Sequence, residues 1–177
     1  MAERQFGWNN MFVAPDEDPR SDKPWVGERE NLVGYLRDYR LTLELKCAGL
    51  DAAQLATRAV PPSDMSLLGL IRHLARIEQY WFRIFFARED VVSPFNSDGR
   101  TEWDVEPDPA MVDEAWRIWR AEVAFAEQFV ASAPDLEIVG KDGGNLRSIL
   151  IHMIEEYARH MGHADFLRER VDGRVGQ

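Results

Sequence analysis

The stretch that decides the fold is His152-Met-Ile-Glu-Glu-Tyr-Ala-Arg-His-Met-Gly-His163, near the C-terminal end of the sequence. At about 100° per residue, positions 152, 156, 160 and 163 of an α-helix lie within roughly 80° of one another. Three imidazoles and a carboxylate therefore share one stripe, on the side that an amphipathic helix turns inward. Buried ionisable groups are costly unless they are paired or coordinated. This stripe predicts that its helix faces another helix around a metal ion.

The facing helix is predicted around His73, the fourth and last histidine of the sequence. Ser66 suits its N-cap, and the helix is expected to run to about Arg88. The expected inward stripe surrounds the histidine with apolar and aromatic residues, namely Leu70, Ile77, Tyr80, Trp81 and Ile84. Three arginines are interpreted as its solvent-facing side, namely Arg72, Arg76 and Arg83.

Two more long helical patterns complete the predicted architecture, an all-α four-helix bundle. One runs from about Glu28 to Leu50. The other begins with Asp108 as N-cap and Pro109 in the first turn, and runs to about Ser132. The helix with the histidine run is expected from Asn145 to about Val171. Between these helices the sequence predicts a short extra turn over 51–56 and, where Pro, Gly, Asn and Asp interrupt any period, a long loop over 91–107.

The first 27 residues predict an irregular N-terminal arm on one domain, residues 28–177. The arm is rich in Pro, Asp and Asn, and its aromatic residues lack helical spacing. We expect those side chains to dock on the bundle surface, namely Phe6, Trp8, Phe12 and Trp25. A chain of 177 residues suits one well-buried core better than two.

Composition excludes several classes of partner. A net charge of −10 disfavours nucleic acid, because phosphates need a basic footprint. No run of eighteen apolar residues, basic amphipathic stretch or signal peptide is present, so no membrane partner is expected. The single cysteine, Cys47, cannot form an intramolecular disulfide, and it lies on an apolar stripe that predicts a core position. We therefore expect a cytoplasmic protein.

Glu156 and His160 stand four residues apart, so their side chains lie on one helix face and can chelate one ion. His73 is the remaining histidine that can supply a third ligand. Two histidines and one carboxylate leave one position open, as in catalytic zinc sites. Zinc is the first expectation, although nickel, iron and manganese accept the same donors.

Other residues near this predicted site have less defined roles. His152 and His163 are candidates for orienting a ligand or shaping the pocket, and Tyr80 and Trp81 for lining it. The pattern also allows a polar core network without metal, or histidines that face solvent. For Tyr80-Trp81-Phe82, core packing is a simpler interpretation than a ligand box.

The segment Ser66-Leu-Leu-Gly-Leu-Ile-Arg-His73-Leu, with Glu78 and Trp81, resembles the second helix of DinB-superfamily proteins. The run from His152 through His163 resembles the last helix of the same superfamily. The likeness covers roughly 28–172. It points to an actinobacterial branch of unknown function related to the mini-circle protein, and more distantly to mycothiol-dependent maleylpyruvate isomerase.

The resemblance implies a four-helix bundle with a divalent metal held from its second and last helices. Matched by position, the ligands are His73, Glu156 and His160, with glutamate where many relatives have histidine. Many relatives also have glutamine where this chain has His163.

Several relatives use mycothiol or bacillithiol, which implies a metal-dependent S-transferase or isomerase acting on a small thiol and an electrophilic substrate. One alternative is a non-catalytic, metal-stabilised bundle that binds a partner, with a homodimer as one expected assembly. A third is hydrolysis by metal-activated water, with Glu155 or another acidic residue as base. Fold membership alone does not choose a reaction.

Overall fold

The computed structural model describes residues 12–14, 16–20, 24–96 and 99–176. Five α-helices and one π-helical segment follow in chain order: α1 (Glu28–Cys47), α2 (Ala52–Ala56), α3 (Leu67–Glu78), the π-helical segment (Gln79–Phe86), α4 (Pro109–Ser132) and α5 (Leu146–Asp172). Within the described ranges there is no strand, only an isolated bridge between Val139 and Asn145. The predicted all-α bundle is confirmed.

The four long helices pack as two layers. Helix α1 lies along α5, helix α3 lies along α4, and α3 also contacts α5. The core between them is apolar and includes Leu43 of α1, Leu70 of α3, Trp119 of α4 and Leu150 of α5. Apolar burial on this scale is the main force that holds the helices together.

Side-chain caps begin the three helices where the sequence predicts them. Ser66 Oγ accepts from Gly69 N at 3.0 Å, Asp108 Oδ1 from Ala110 N at 2.9 Å, and Asn145 Oδ1 from Ser148 N at 3.0 Å. Each contact satisfies one of the amide groups that a helix start leaves unpaired. Helix α1 ends at Cys47, three residues before the predicted Leu50, because Ala48 is extended (φ −61°, ψ 136°).

The predicted α-helix from Ser66 to Arg88 is wrong in its second half. Gln79–Phe86 is π-helical, and its last bond runs from Ala87 N to Phe82 O, five residues back, at 3.0 Å. A wider turn changes which residues face inward. Phe82, Phe85 and Phe86 are buried, whereas Tyr80, expected on the inner stripe, is 41% exposed.

One residue from each long helix forms a buried polar group, the four-helix cluster: Arg40, Glu78, Trp119 and Tyr157. Arg40 donates from Nε and Nη2 to the two Glu78 oxygens, each at 2.8 Å. Tyr157 OH donates to Glu78 Oε1 at 2.9 Å, and Trp119 Nε1 donates to Tyr157 OH at 2.9 Å. Burial, followed by the Glu78 charge, raises the pKa of Tyr157 well above its usual value, so the hydroxyl stays a donor. Pairing of this kind makes buried charges tolerable.

Two aromatic residues of the arm lie against the bundle. The Phe12 ring is buried, with Lys46 Nζ 4.4 Å and the Arg174 guanidinium 3.9 Å from its centroid. The Trp25 ring lies so close to Gly34 that a Cβ there would overlap it. Phe6 and Trp8 lie outside the described residues, and the domain boundary at residue 27 stays a prediction.

Membrane crossing requires a long apolar helix. Among the described residues, none of the helices has the length and apolar character to cross a bilayer.

Candidate metal centre

Helices α3 and α5 bring His73, Glu156 and His160 together. One nitrogen or oxygen of each lies within 4.8 Å of the others, a group we call the three-ligand cluster. Glu156 Oε2 is 3.4 Å from His160 Nε2 and 3.9 Å from His73 Nε2. The two imidazole centroids are 4.7 Å apart at an interplanar angle of 62°. Three potential donors from two helices that are distant in sequence therefore converge on one point.

His160 is suited to be a neutral donor. The residue is 9% exposed, and burial, with smaller effects of His73, His163 and Arg159, lowers its pKa to about 4. At neutral pH the imidazole is uncharged and can offer a lone pair. Two imidazoles and one carboxylate form a ligand set that fits zinc, and one position would remain for another molecule. The same donors fit iron, nickel or manganese.

Glu102, in the loop between α3 and α4, supports His73 from the opposite side. Glu102 Oε1 is 3.2 Å from His73 Nδ1 and 2.9 Å from Arg76 Nε. Burial alone would raise the pKa of the Glu102 carboxyl, but its own backbone N–H, His73 and Arg76 lower it overall. An ionised carboxylate only accepts, so the hydrogen of this contact belongs to His73 Nδ1. His73 Nε2 lies on the Glu156 side of the ring, 3.9 Å from Oε2.

Sequence reasoning missed Glu102 because it belongs to a loop without period, 29 residues from His73. The neighbouring Trp103 stacks on the His73 ring, with centroids 5.1 Å apart and an interplanar angle of 24°. The sequence did hold one signal, since basic residues of α3 are matched by acidic residues in this loop.

The interpretation of three arginines as a solvent-facing side is wrong for Arg72, while Arg76 and Arg83 are half-buried and form ion pairs. Arg72 is buried and donates from Nη1 to the carbonyl oxygens of Glu102 at 3.1 Å and Asp104 at 2.7 Å. Arg76 contacts Glu102, as described above. Arg83 Nε donates to Glu122 Oε2 at 2.6 Å. The loop and α4 cover the face of α3 that would otherwise meet solvent.

The remaining candidates lie around the three-ligand cluster. Among the described residues, neither His152 nor His163 belongs to the group within 4.8 Å. His163 Nδ1 is 3.3 Å from His160 Nδ1, so one of these nitrogens donates to the other. His152 Nε2 is 3.6 Å from Glu156 Oε1. His152 also packs against Trp81, with ring centroids 5.1 Å apart.

Tyr80 contacts Trp81 edge-on, with centroids 4.9 Å apart. Trp81 and His152 border the three-ligand cluster. Tyr80 is 41% exposed and lies further from it. Of the run interpreted as core, only Phe82 is fully buried.

Cys47 is buried, as the apolar stripe predicts. Burial, followed by the Glu44 charge and opposed by Arg168, raises the pKa of its thiol to about 12. A protonated, buried thiol is a poor nucleophile.

Comparisons with known proteins identify the fold family. A comparison with curated proteins finds no match. One similar solved structure is a conserved protein from Enterococcus faecalis, with a TM-score of 0.51 and 19% identity over 82% of this chain and 95% of that chain. At this identity the likeness shows the fold alone. The family model described as mycothiol-S-transferase matches residues 31–173. The chain therefore belongs to the mycothiol-S-transferase family of DinB-like proteins.

Proposed function

We propose that this protein is a metal-dependent S-transferase that joins a low-molecular-weight thiol, such as mycothiol, to an electrophilic substrate. His73, Glu156 and His160 would hold the divalent cation, with zinc as the first expectation. The observation that carries the proposal is the convergence of these three side chains within 4.8 Å. Family membership supports the thiol as substrate.

The donor set suits this chemistry because it leaves room for the thiol. A divalent cation at such a site supplies Lewis acidity, which lowers the pKa of a coordinated thiol into the neutral range. His160 serves as a neutral ligand because burial keeps it unprotonated. No protein nucleophile is required, which agrees with the buried Cys47.

Two residues beside the three-ligand cluster are our candidates for shaping the thiol pocket. His152 lies beside Glu156, and the Trp81 ring packs against His152. We propose that they limit how a bound thiol and its electrophile approach each other. Glu155, one candidate base of the hydrolytic alternative, is exposed and pairs with Arg159 at 3.0 Å, so it gives that alternative no specific support.

A non-catalytic bundle is the second candidate, and His152 is the observation that favours it. Its Nε2 lies 3.6 Å from Glu156 Oε1, near enough for a small movement to supply a fourth donor. Four protein ligands would close the site, as in structural zinc centres. Such a protein would bind metal without turnover.

The test is the rate at which metal-loaded protein conjugates mycothiol to monochlorobimane. We expect Glu156→Ala to lower the rate at least 100-fold, because it removes a ligand. Glu155→Ala changes the adjacent, exposed carboxylate and should stay within twofold of the unaltered protein. Equal rates for the two variants would exclude the proposed centre. Tight zinc binding without turnover in the unaltered protein would favour the non-catalytic bundle.

A further inference from the structure

The loop between α3 and α4 reaches the candidate centre with Glu102 and Trp103. We propose that Glu102 is the positioning residue of this centre: its carboxylate holds the Nδ1–H of His73, so that Nε2 is the nitrogen turned toward the metal. The inference rests on the proposed function, because it assigns a role relative to the same site.

The first support is the fixed geometry of the carboxylate. Glu102 is 5% exposed, and its Oε1 lies between His73 Nδ1 at 3.2 Å and Arg76 Nε at 2.9 Å. Arg76 balances the buried charge and limits the rotation of the carboxylate. A carboxylate held by a rigid guanidinium presents an acceptor in one direction, and His73 occupies that direction.

The second support is that the imidazole face is also held. Trp103 stacks on the His73 ring with centroids 5.1 Å apart. The indole needs the absence of a side chain at Gly69, where a Cβ would lie 2.9 Å from Trp103 Cε3. Glu102 fixes the ring edge and Trp103 fixes the ring face, so the same loop restrains His73 twice.

The third support is that the loop backbone is tied to α3. Arg72, itself buried, donates from Nη1 to Glu102 O at 3.1 Å and to Asp104 O at 2.7 Å. The carboxylate therefore sits on an anchored backbone. Partners of this kind orient metal-bound histidines and fix their tautomer, and their loss commonly weakens metal binding about 10–100-fold.

The centre has an analogous contact on its other imidazole. His160 Nδ1 is 3.3 Å from His163 Nδ1, while His160 Nε2 is directed to Glu156 at 3.4 Å. Both histidines thus have their Nδ1 occupied and their Nε2 toward Glu156. A carboxylate is a stronger acceptor than an imidazole nitrogen, so Glu102 should be the stronger determinant.

The experiment compares Glu102→Gln with Glu106→Gln. Glu106 is on the same loop, but it is exposed and lies 3.9 Å from Arg100. Zinc affinity is measured by competition with a chelator, and the tautomer of His73 by long-range nitrogen–proton NMR of the metal-free protein. We expect Glu102→Gln to bind zinc about tenfold or more weakly and to lose the single Nδ1–H form. Glu106→Gln should match the unaltered protein in both measurements.

Each outcome decides the inference. Equal zinc affinity and an unchanged His73 tautomer in both variants would overturn it while leaving the metal centre intact. Failure of the unaltered protein to bind zinc would overturn both the proposed function and the role of Glu102. If Glu102→Gln does not fold, the tautomer in the unaltered protein decides: Nδ1–H supports the inference, and Nε2–H overturns it.

Discussion

Two polar groups bridge α3 and α5, and they are built in opposite ways. In the four-helix cluster every contact pairs a donor with an acceptor, from Arg40 to Glu78 and from Trp119 to Tyr157. In the three-ligand cluster, His73 Nε2 and Glu156 Oε2 lie 3.9 Å apart, beyond hydrogen-bond distance. The first group is complete with protein atoms alone. The second is held by longer contacts of 3.4 and 3.9 Å, and a divalent cation would draw its three side chains together as ligands.

The two groups also differ in how the charge of their carboxylate is balanced. The Glu78 carboxylate is neutralised by Arg40 at 2.8 Å. The Glu156 carboxylate has imidazoles as its neighbours, and burial keeps His160 uncharged at neutral pH. The comparison teaches that a buried polar group contributes to stability when its hydrogen bonds are complete within the protein. A group whose hydrogen bonds are incomplete can instead bind a ligand.

The largest expected change in the free energy of unfolding comes from a substitution in the four-helix cluster. Glu78→Ala leaves the Arg40 guanidinium buried without its main partner, and we expect a loss of about 3–5 kcal/mol in the free energy of unfolding. Urea unfolding of the metal-free protein measures it. Glu127→Gln is the control, because Glu127 is exposed and 3.6 Å from Arg40, and it should cost less than about 1 kcal/mol. If the two variants lose similar free energies of unfolding, the four-helix cluster does not have the stabilising role described here.

Zinc that binds the three-ligand cluster should stabilise the folded protein. At free zinc 100-fold above its dissociation constant, we expect the free energy of unfolding to rise by about 2.7 kcal/mol. Glu156→Gln keeps the side-chain shape but weakens the ligand, and should abolish most of this rise at the same zinc concentration. Glu155→Gln should retain it. The measurement is urea unfolding with and without zinc, and a full rise in Glu156→Gln would contradict the assignment.

Acid should destabilise the metal-free protein through His160. Its pKa is lowered from 6.5 to about 4, mainly by burial. Between these values the unfolded chain binds a proton that the folded protein does not, so stability is complete above about pH 6.5 and falls toward pH 4. At about 1.4 kcal/mol per pH unit over the two units below pH 6.5, the loss by pH 4.5 is about 2.5 kcal/mol.

His160→Gln removes this titration and provides the comparison. Its loss of stability between pH 7.5 and pH 4.5 should be smaller than that of the unaltered protein by about the same 2.5 kcal/mol. Parallel pH profiles of unfolding in the two proteins would show that His160 is not the group responsible.

The smallest expected effect concerns Cys47. Because burial raises the pKa of its thiol to about 12, we expect no alkylation by iodoacetamide at pH 8 until the protein unfolds. Cys47→Ala should transfer mycothiol to monochlorobimane within twofold of the unaltered rate. A large loss of activity in a folded Cys47→Ala protein would assign the nucleophile to the chain itself.

The helices were predictable because their signals are local. Caps at Ser66, Asp108 and Asn145 and apolar residues three or four apart define where α3, α4 and α5 begin. The pair Glu156 and His160 follows from helix geometry alone, and the family resemblance matched both, along with His73, to ligand positions. That they bind metal stays a prediction.

What was missed depends on tertiary contacts. The π-helical turn at Gln79–Phe86 shifts hydrogen bonds by one residue without a distinctive composition, so an ordinary α-helix was expected. Glu102 reaches His73 only because the loop folds back on α3, where Arg72 anchors it. The spacing of residues in the sequence does not show that this loop folds back onto α3.

Every bond of the four-helix cluster crosses from the layer of α1 and α5 to the layer of α3 and α4. A helix pair formed by either layer alone would hold half of the group, with its buried donors or acceptors unmatched. Partly assembled chains therefore gain nothing from these contacts until the layers dock. The protein should accordingly unfold in a single cooperative transition, with no populated species in which one layer survives without the other.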